Sequence, residues 1–143
     1  MRKISYFFFL IFAISIFSCD RQEESKWVKI DEDDEFVLKV DKSSKVNMGK
    51  GIYRYWLRTD FTEKGRAKEQ RERSLSREPL YLMACIEIRC DYKDFHLTGS
   101  SFYDSDGKVI RSDTMTEEGI KKAGWMPIAP ETRGATIHET LCK

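Results

Sequence analysis

Cysteines are the residues of this 143-residue chain whose type and spacing could carry chemistry, and there are 4 of them. Cys19 follows Ile16-Phe17-Ser18, which places a small residue directly before a thiol. Lipoprotein processing requires that ending, because the thiol takes a diacylglycerol through a thioether before the chain is cut at the preceding bond. Cys19 is therefore predicted to be lipidated and to become the first residue of the mature chain.

The segment before Cys19 has the composition of a secretory signal. Arg2 and Lys3 precede an apolar run from Ile4 to Phe17, which is shorter than the roughly 20 residues of a membrane-spanning helix. Residues 1–18 are predicted to be a lipoprotein signal peptide. A plain secretory signal and an uncleaved anchor remain as alternatives. Stable anchoring needs at least two acyl chains, which a diacylated or triacylated Cys19 would supply.

Export gives the other three cysteines an oxidising environment, in which two of them can form a disulfide. Between Leu80 and Cys90 the apolar residues share the parity of Cys90, whereas Cys85 has the opposite parity. Two cysteines five residues apart on one strand point to opposite faces, which excludes a bridge between them unless a bulge intervenes. The predicted disulfide joins Cys90 to Cys142, on the element that covers the apolar face, and leaves Cys85 free.

The remaining candidates for chemistry are weaker. His96 and His138 are far apart in the sequence and belong to no metal-binding or nucleophile motif. The acidic run Asp31–Glu35 lacks the alternating ligands and the glycine of a calcium loop, and is interpreted as a hairpin tip. Cys85 is either a redox or interchain thiol or, as we favour, a half-buried small hydrophobe. No catalytic residue, cofactor or metal site is predicted.

Charge excludes one class of partner. The whole chain has 25 Lys and Arg against 24 Asp and Glu, so loss of Arg2 and Lys3 with the signal would leave a formal net charge of −1. A chain so close to neutral does not bind nucleic acid through bulk electrostatics. The charged segment Thr62–Arg77 interleaves cations with glutamates and has no aromatic residues for stacking. It is interpreted as a solvated connection, with a short helix as the alternative.

The elements that must position these residues are mostly strands. Residues 19–26 are polar and are predicted to be a tether, and residues 27–143 are predicted to form one domain. Alternating apolar runs predict strands at residues 27–30, 36–40, 51–61, 80–90, 94–103 and 108–112, with a helix from Glu131 to Cys142. The predicted fold is α+β: a six-stranded antiparallel sheet whose C-terminal helix packs on one face and is tied there by the disulfide.

Aromatic residues offer a lead to binding. Tyr53 and Tyr55 alternate with Trp56 on the third predicted strand, so both faces of the sheet carry rings. Rings on a face that nothing covers could contact a partner. Packing in the core is the more common role for such residues.

Sparse anchors in a fixed order carry a family resemblance. They are Trp27-Val28, Val40-Asp41 with Ser43-Ser44, the strand end Trp56–Phe61, Ser74, Glu87–Cys90, Asp106-Gly107, Trp125–Pro130 and the penultimate Cys142. In order and spacing they resemble the surface-adhesin protein E family of bacterial envelope lipoproteins, over residues 27–143. The resemblance implies a six-stranded antiparallel sheet with a C-terminal helix tied across it by a disulfide.

The resemblance also implies a function, because the family's named member is an adhesin that binds host extracellular-matrix and serum proteins. We expect a non-catalytic binding or adhesion module, held to a membrane by lipid on Cys19, with an unknown matrix or envelope protein as its ligand. A structural or assembly lipoprotein of the envelope is the alternative, and a small enzyme is disfavoured. The expected location is the outer membrane or cell surface. Asp20 would favour the inner membrane under enteric sorting rules.

Overall fold

The computed structural model describes residues 26–143. The predicted signal peptide, Cys19 and all of the predicted tether except Lys26 lie outside the described residues. The strands are β1 (Trp27–Glu32), β2 (Phe36–Gly49), β3 (Ile52–Phe61), β4 (Tyr81–Arg89), β5 (Asp94–Tyr103), β6 (Val109–Thr114) and β7 (Met126–Pro127). The helices are α1 (Glu63–Glu72), α2 (Glu117–Ala123) and α3 (Arg133–Leu141).

The sheet is an antiparallel meander in which β1 to β6 follow each other in sequence order, and β7 pairs with the start of β5. Successive turns therefore lie at alternate ends of the sheet. The acidic end has the β1–β2 turn, the β3–β4 connection with α1, and the β5–β6 turn. The lysine end has the β2–β3 turn at Lys50 and the β4–β5 turn at residues 91–93. A Cβ placed on Gly51 would lie 3.4 Å from Oδ2 of Asp91, so these last two turns are neighbours.

One face of the sheet forms the core, as period-two alternation requires. Val40 and Ile88 are completely buried, and Tyr55, Leu57 and Ile86 fill the space between them. The register places Val40 opposite Leu57, and Tyr55 opposite Ile86, so apolar side chains from neighbouring strands form continuous rows. The α+β fold with an antiparallel sheet is confirmed.

The C-terminal helix α3 covers part of this face. Leu141 is buried in the core, and the Tyr55 hydroxyl donates a hydrogen bond to its carbonyl oxygen over 3.2 Å. Beside it, the Cys90–Cys142 disulfide joins the helix to the end of β4, with a Cα–Cα distance of 5.4 Å, and Cys85 is a free, buried thiol. The predicted pairing is confirmed.

The helix begins later than the sequence suggests. Glu131 has a φ of +58° and so cannot belong to a helix. Thr132 is the N-cap, and its hydroxyl accepts a hydrogen bond from the Ala135 amide over 3.3 Å. The prediction that the helix begins at Glu131 was wrong.

Three other segments differ from expectation. The charged stretch after Thr62 contains helix α1, so the alternative of a short helix was correct. Helix α2 occupies a segment, after residue 112, for which the sequence predicted no helix or strand. It is capped by Thr116 and is followed by Gly124, whose φ is +70°. Strand β2 continues to Gly49, well beyond the predicted end at Val40, because its polar second half pairs with the start of β3 through an irregular register.

Replacing Cys142 by Ser tests the disulfide. Because the bridge closes a loop with a sequence separation of 52, its loss should lower the free energy of unfolding by about 4 kcal/mol. Thermal unfolding monitored by circular dichroism should show a strongly lowered midpoint. Cys85→Ser is the matched control. It leaves the bridge intact and only buries a hydroxyl in place of a thiol, so it should lower the free energy of unfolding by about 1 kcal/mol. A Cys85-containing disulfide in the wild-type monomer, found by non-reducing peptide mapping, would contradict the pairing.

Candidate binding groove and outer face

A groove of about 480 Å³ opens at the acidic end, between α1, the β1–β2 turn and the start of α3. Its floor is apolar and its rim is charged. The lining residues are Asp33, Glu35, Phe36, Leu38, Thr59, Phe61, Lys68, Glu69, Arg73, Leu82 and Arg133. A volume of this size is in the range that accommodates a small ligand or an inserted side chain of a partner.

The groove exists because the N-terminus of α1 docks onto the β1–β2 turn. Thr62 is the N-cap: its hydroxyl accepts from the Gly65 amide over 3.2 Å and donates to the Asp34 carbonyl oxygen over 2.7 Å. The Thr62 amide donates to the Glu35 carbonyl oxygen over 2.9 Å. A Cβ on Gly65 would lie 1.9 Å from the Glu35 carbonyl oxygen. Only glycine allows this close approach of helix and turn.

Ion pairs fix the charged rim. Lys68 contacts Glu35 at 2.6 Å, and this hydrogen bond raises the pKa of the lysine. Glu69 pairs with Arg73 at 2.7 Å, and Arg133 reaches Asp33 at 3.1 Å while its guanidinium lies 3.8 Å from the centre of the Phe36 ring. These side chains remain partly exposed, so the rim presents both signs of charge beside an apolar floor.

The opposite face of the sheet, the outer face, carries a polar network. His96 is buried, its Nε2 lies 2.9 Å from the Glu87 carboxylate, and its ring packs 4.1 Å from that of Trp125. Arg54 also donates to Glu87. Burial raises the pKa of Glu87, but hydrogen bonds from Arg54 and His96 together outweigh it and hold the pKa below its ordinary value. We interpret this network as the support of the outer face, since its members bond to one another.

Of the three aromatic residues on β3 that the sequence offered as a lead to binding, Trp56 is the most exposed. It is 43% exposed and lies on the outer face, opposite Cys85 in the register of β3 and β4. Tyr55 is buried on the other face, so both faces do carry rings. Cys85, the neighbour of Trp56 on β4, is buried, which agrees with its interpretation as a small hydrophobe.

The other candidates from the sequence are not brought together. His138 contacts the Cys90 carbonyl oxygen at 2.9 Å, whereas His96 lies on the outer face. In the acidic run, the Asp33 carboxylate accepts hydrogen bonds from the amides of Glu35 and Phe36, which makes the run a hairpin turn. Within residues 26–143, no three His, Cys, Asp or Glu side chains are grouped as metal ligands.

Sequence reasoning missed the groove. Its rim residues Lys68, Arg73 and Arg133 come from two helices far apart in the chain and resemble ordinary solvated charges. The usable signal was the pair Thr62 and Gly65, a helix cap followed by a glycine inside an otherwise strongly helix-forming segment.

Comparison with known families decides the relationship. The family model described as surface-adhesin protein E matches residues 27–143. The chain belongs to this family. Searches of curated proteins and of solved structures gave no significant match. As a member of the surface-adhesin protein E family, the chain is an adhesion-type protein of the cell surface or envelope. Among the described residues, no helix has the length and apolar character needed to cross a bilayer.

Gly65→Ala tests how the groove is built. The added methyl group would collide with the backbone of the β1–β2 turn, so we expect unfolding to become easier by at least about 2 kcal/mol. Gly119→Ala is the matched control, because Gly119 occupies the same position after the N-cap of α2. There the nearest atom is the Thr116 hydroxyl at 3.3 Å, and stability should be unchanged or rise by up to about 1 kcal/mol. Equal denaturation midpoints for the two variants would contradict the docking.

Proposed function

We propose that this protein is a lipid-anchored, non-catalytic binding module of the bacterial envelope. Lipid on Cys19 attaches it to a membrane, at the outer membrane or cell surface, and the groove at the acidic end binds a protein ligand. Family membership supports an adhesion-type role. The anchor, the absence of catalysis and the use of the groove are inferences from the sequence and the geometry.

The observation that carries the proposal is the opposite placement of the groove and the entry of the chain. Trp27 pairs with Asp41, and β2 continues from there towards the lysine end. The antiparallel direction of β1 therefore brings the chain in from that side. Strand β3, with 10 residues, separates the two ends by about 30 Å. A molecule anchored through Cys19 would present the groove away from the membrane.

The chemistry of the groove suits a protein partner. An apolar side chain can enter between Phe36, Phe61 and Leu82, and charged groups around it can meet Lys68 and Arg73 on the rim. Binding energy at protein interfaces concentrates on such inserted side chains, and surrounding polar contacts exclude water. The expected ligand exposes an aliphatic or aromatic side chain flanked by charged residues.

Cys19→Ser tests the anchor. The variant has no thiol to accept lipid, so it should remain uncleaved or be released, and should enter the aqueous phase of a detergent separation. The wild-type protein should enter the detergent phase and carry a diacylglycerol mass on its N-terminal peptide. If the variant still partitions with detergent, something other than lipid on Cys19 anchors the chain.

Charge reversal on the rim tests the groove. Purified wild-type protein should bind saturably to a protein in a panel of matrix, serum and envelope proteins, and should show no turnover across broad substrate panels. The double variant Lys68→Glu, Arg73→Glu should bind the same protein at least about tenfold more weakly. The control is the double variant Lys121→Glu, Lys122→Glu, which makes the same charge change on α2 and should leave the affinity for this protein unchanged. Equal losses in both variants, or reproducible turnover that one polar substitution abolishes, would contradict the proposal.

A further inference from the structure

The lysine end combines exposed cations with exposed apolar side chains. The β2–β3 hairpin from residue 42 to 51 and the β4–β5 turn from residue 90 to 93 contain one carboxylate, Asp91, and four lysines. The lysines are Lys42, Lys45, Lys50 and Lys93, and all four are exposed. This end of the sheet is thus locally basic in a chain that is nearly neutral overall.

Large apolar side chains are exposed at the same end. Tyr92 is 70% exposed, Val46 is 49% exposed, and Met48 and Met126 are each 43% exposed. Met126 belongs to β7, which pairs with the first residues of β5, and therefore lies at this end as well. Apolar side chains surrounded by lysines are typical of surfaces that contact anionic bilayers.

We propose that the lysine end docks onto the anionic phospholipid headgroups of the bilayer that holds the anchor. The proposal rests on the proposed lipid at Cys19. Only seven residues lie between Cys19 and Trp27, and the eight steps of chain that join them cannot reach farther than about 28 Å. Because the chain enters β1 from the side of the lysine end, this is the end of the domain that the anchor keeps beside the membrane.

Charge complementarity supports this occupant. Lysines near an anionic membrane surface each strengthen binding by about fivefold. The run of five acidic residues from Asp31 to Glu35 lies at the other end of the sheet and would be repelled, which favours the same orientation. Lysines on a free strand edge also discourage pairing between molecules. That role does not explain Lys50 and Lys93, which lie in turns, or the exposed ring of Tyr92.

Vesicle binding by the unlipidated chain tests the docking separately from the anchor. The mature chain carrying Cys19→Ser would be sedimented with phosphatidylcholine vesicles containing 30% phosphatidylglycerol, and with vesicles of phosphatidylcholine alone, at low salt. We expect the protein to bind the vesicles that contain phosphatidylglycerol and not the vesicles of phosphatidylcholine alone. The triple variant Lys42→Gln, Lys45→Gln, Lys50→Gln, made in the same chain, should bind the anionic vesicles about 100-fold more weakly.

The control removes the same charge elsewhere. The triple variant Lys64→Gln, Arg71→Gln, Lys108→Gln should retain most of the vesicle binding, because Lys64 and Arg71 lie on α1 and Lys108 lies in the β5–β6 turn, all at the acidic end. Circular dichroism would verify that both triple variants are folded. No binding to anionic vesicles, or equal losses in the two triple variants, would overturn the proposal. Lipidation is judged independently by detergent partitioning, so a missing anchor and a missing docking surface give different results.

Discussion

The antiparallel order of the sheet is the constraint on which the rest of the molecule depends. Each of the first five strands pairs with the next strand in the chain, so the turns between these strands alternate strictly between two ends. This places the acidic β1–β2 turn beside α1, and the β2–β3 turn beside the β4–β5 turn. The polarity of the domain, with a groove at one end and lysines at the other, follows from strand order and from the charges of a few turns.

A single sheet leaves its apolar face open to water, and the two longer helices resolve this in different ways. Helix α3 has few apolar residues, with Leu141 its one buried residue, so the Cys90–Cys142 bridge contributes much of its attachment. Helix α1 is held mainly by polar contacts, through the Thr62 cap and the close approach of Gly65 to the β1–β2 turn. Its incomplete coverage of Phe36 and Phe61 is what leaves the groove.

Much of the fold could be predicted from the sequence, because strand parity is a local signal. The alternation between Leu80 and Cys90 predicted both the core face and the disulfide partner. The polar second half of β2 could not be predicted, since its pairing depends on β3 and not on its own residues. Helix α2 was hidden for a related reason: its short sequence buries no side chain and shows no apolar stripe.

The groove was less predictable than the fold. Its apolar floor residues lie on strands that the sequence predicted, but the rim is assembled by α1 and α3 from residues whose sequence neighbours are equally charged. No local pattern distinguishes Arg73 or Arg133 from a solvated arginine. The register of the sheet and the Gly65 contact decide which charges surround an apolar surface, and both depend on tertiary structure.

Energy transfer to a labelled bilayer would test the central claim, that the anchor and the groove lie at opposite ends. A fluorophore would be attached at Asn47→Cys or at Ser105→Cys in the lipidated protein, with Cys85→Ser to avoid labelling the free thiol. The donor at residue 47, in the β2–β3 hairpin, should be strongly quenched by acceptor lipids. The donor at residue 105, in the β5–β6 turn, should be quenched weakly, because it lies about 30 Å farther from the membrane. Equal quenching, or stronger quenching at residue 105, would contradict the account.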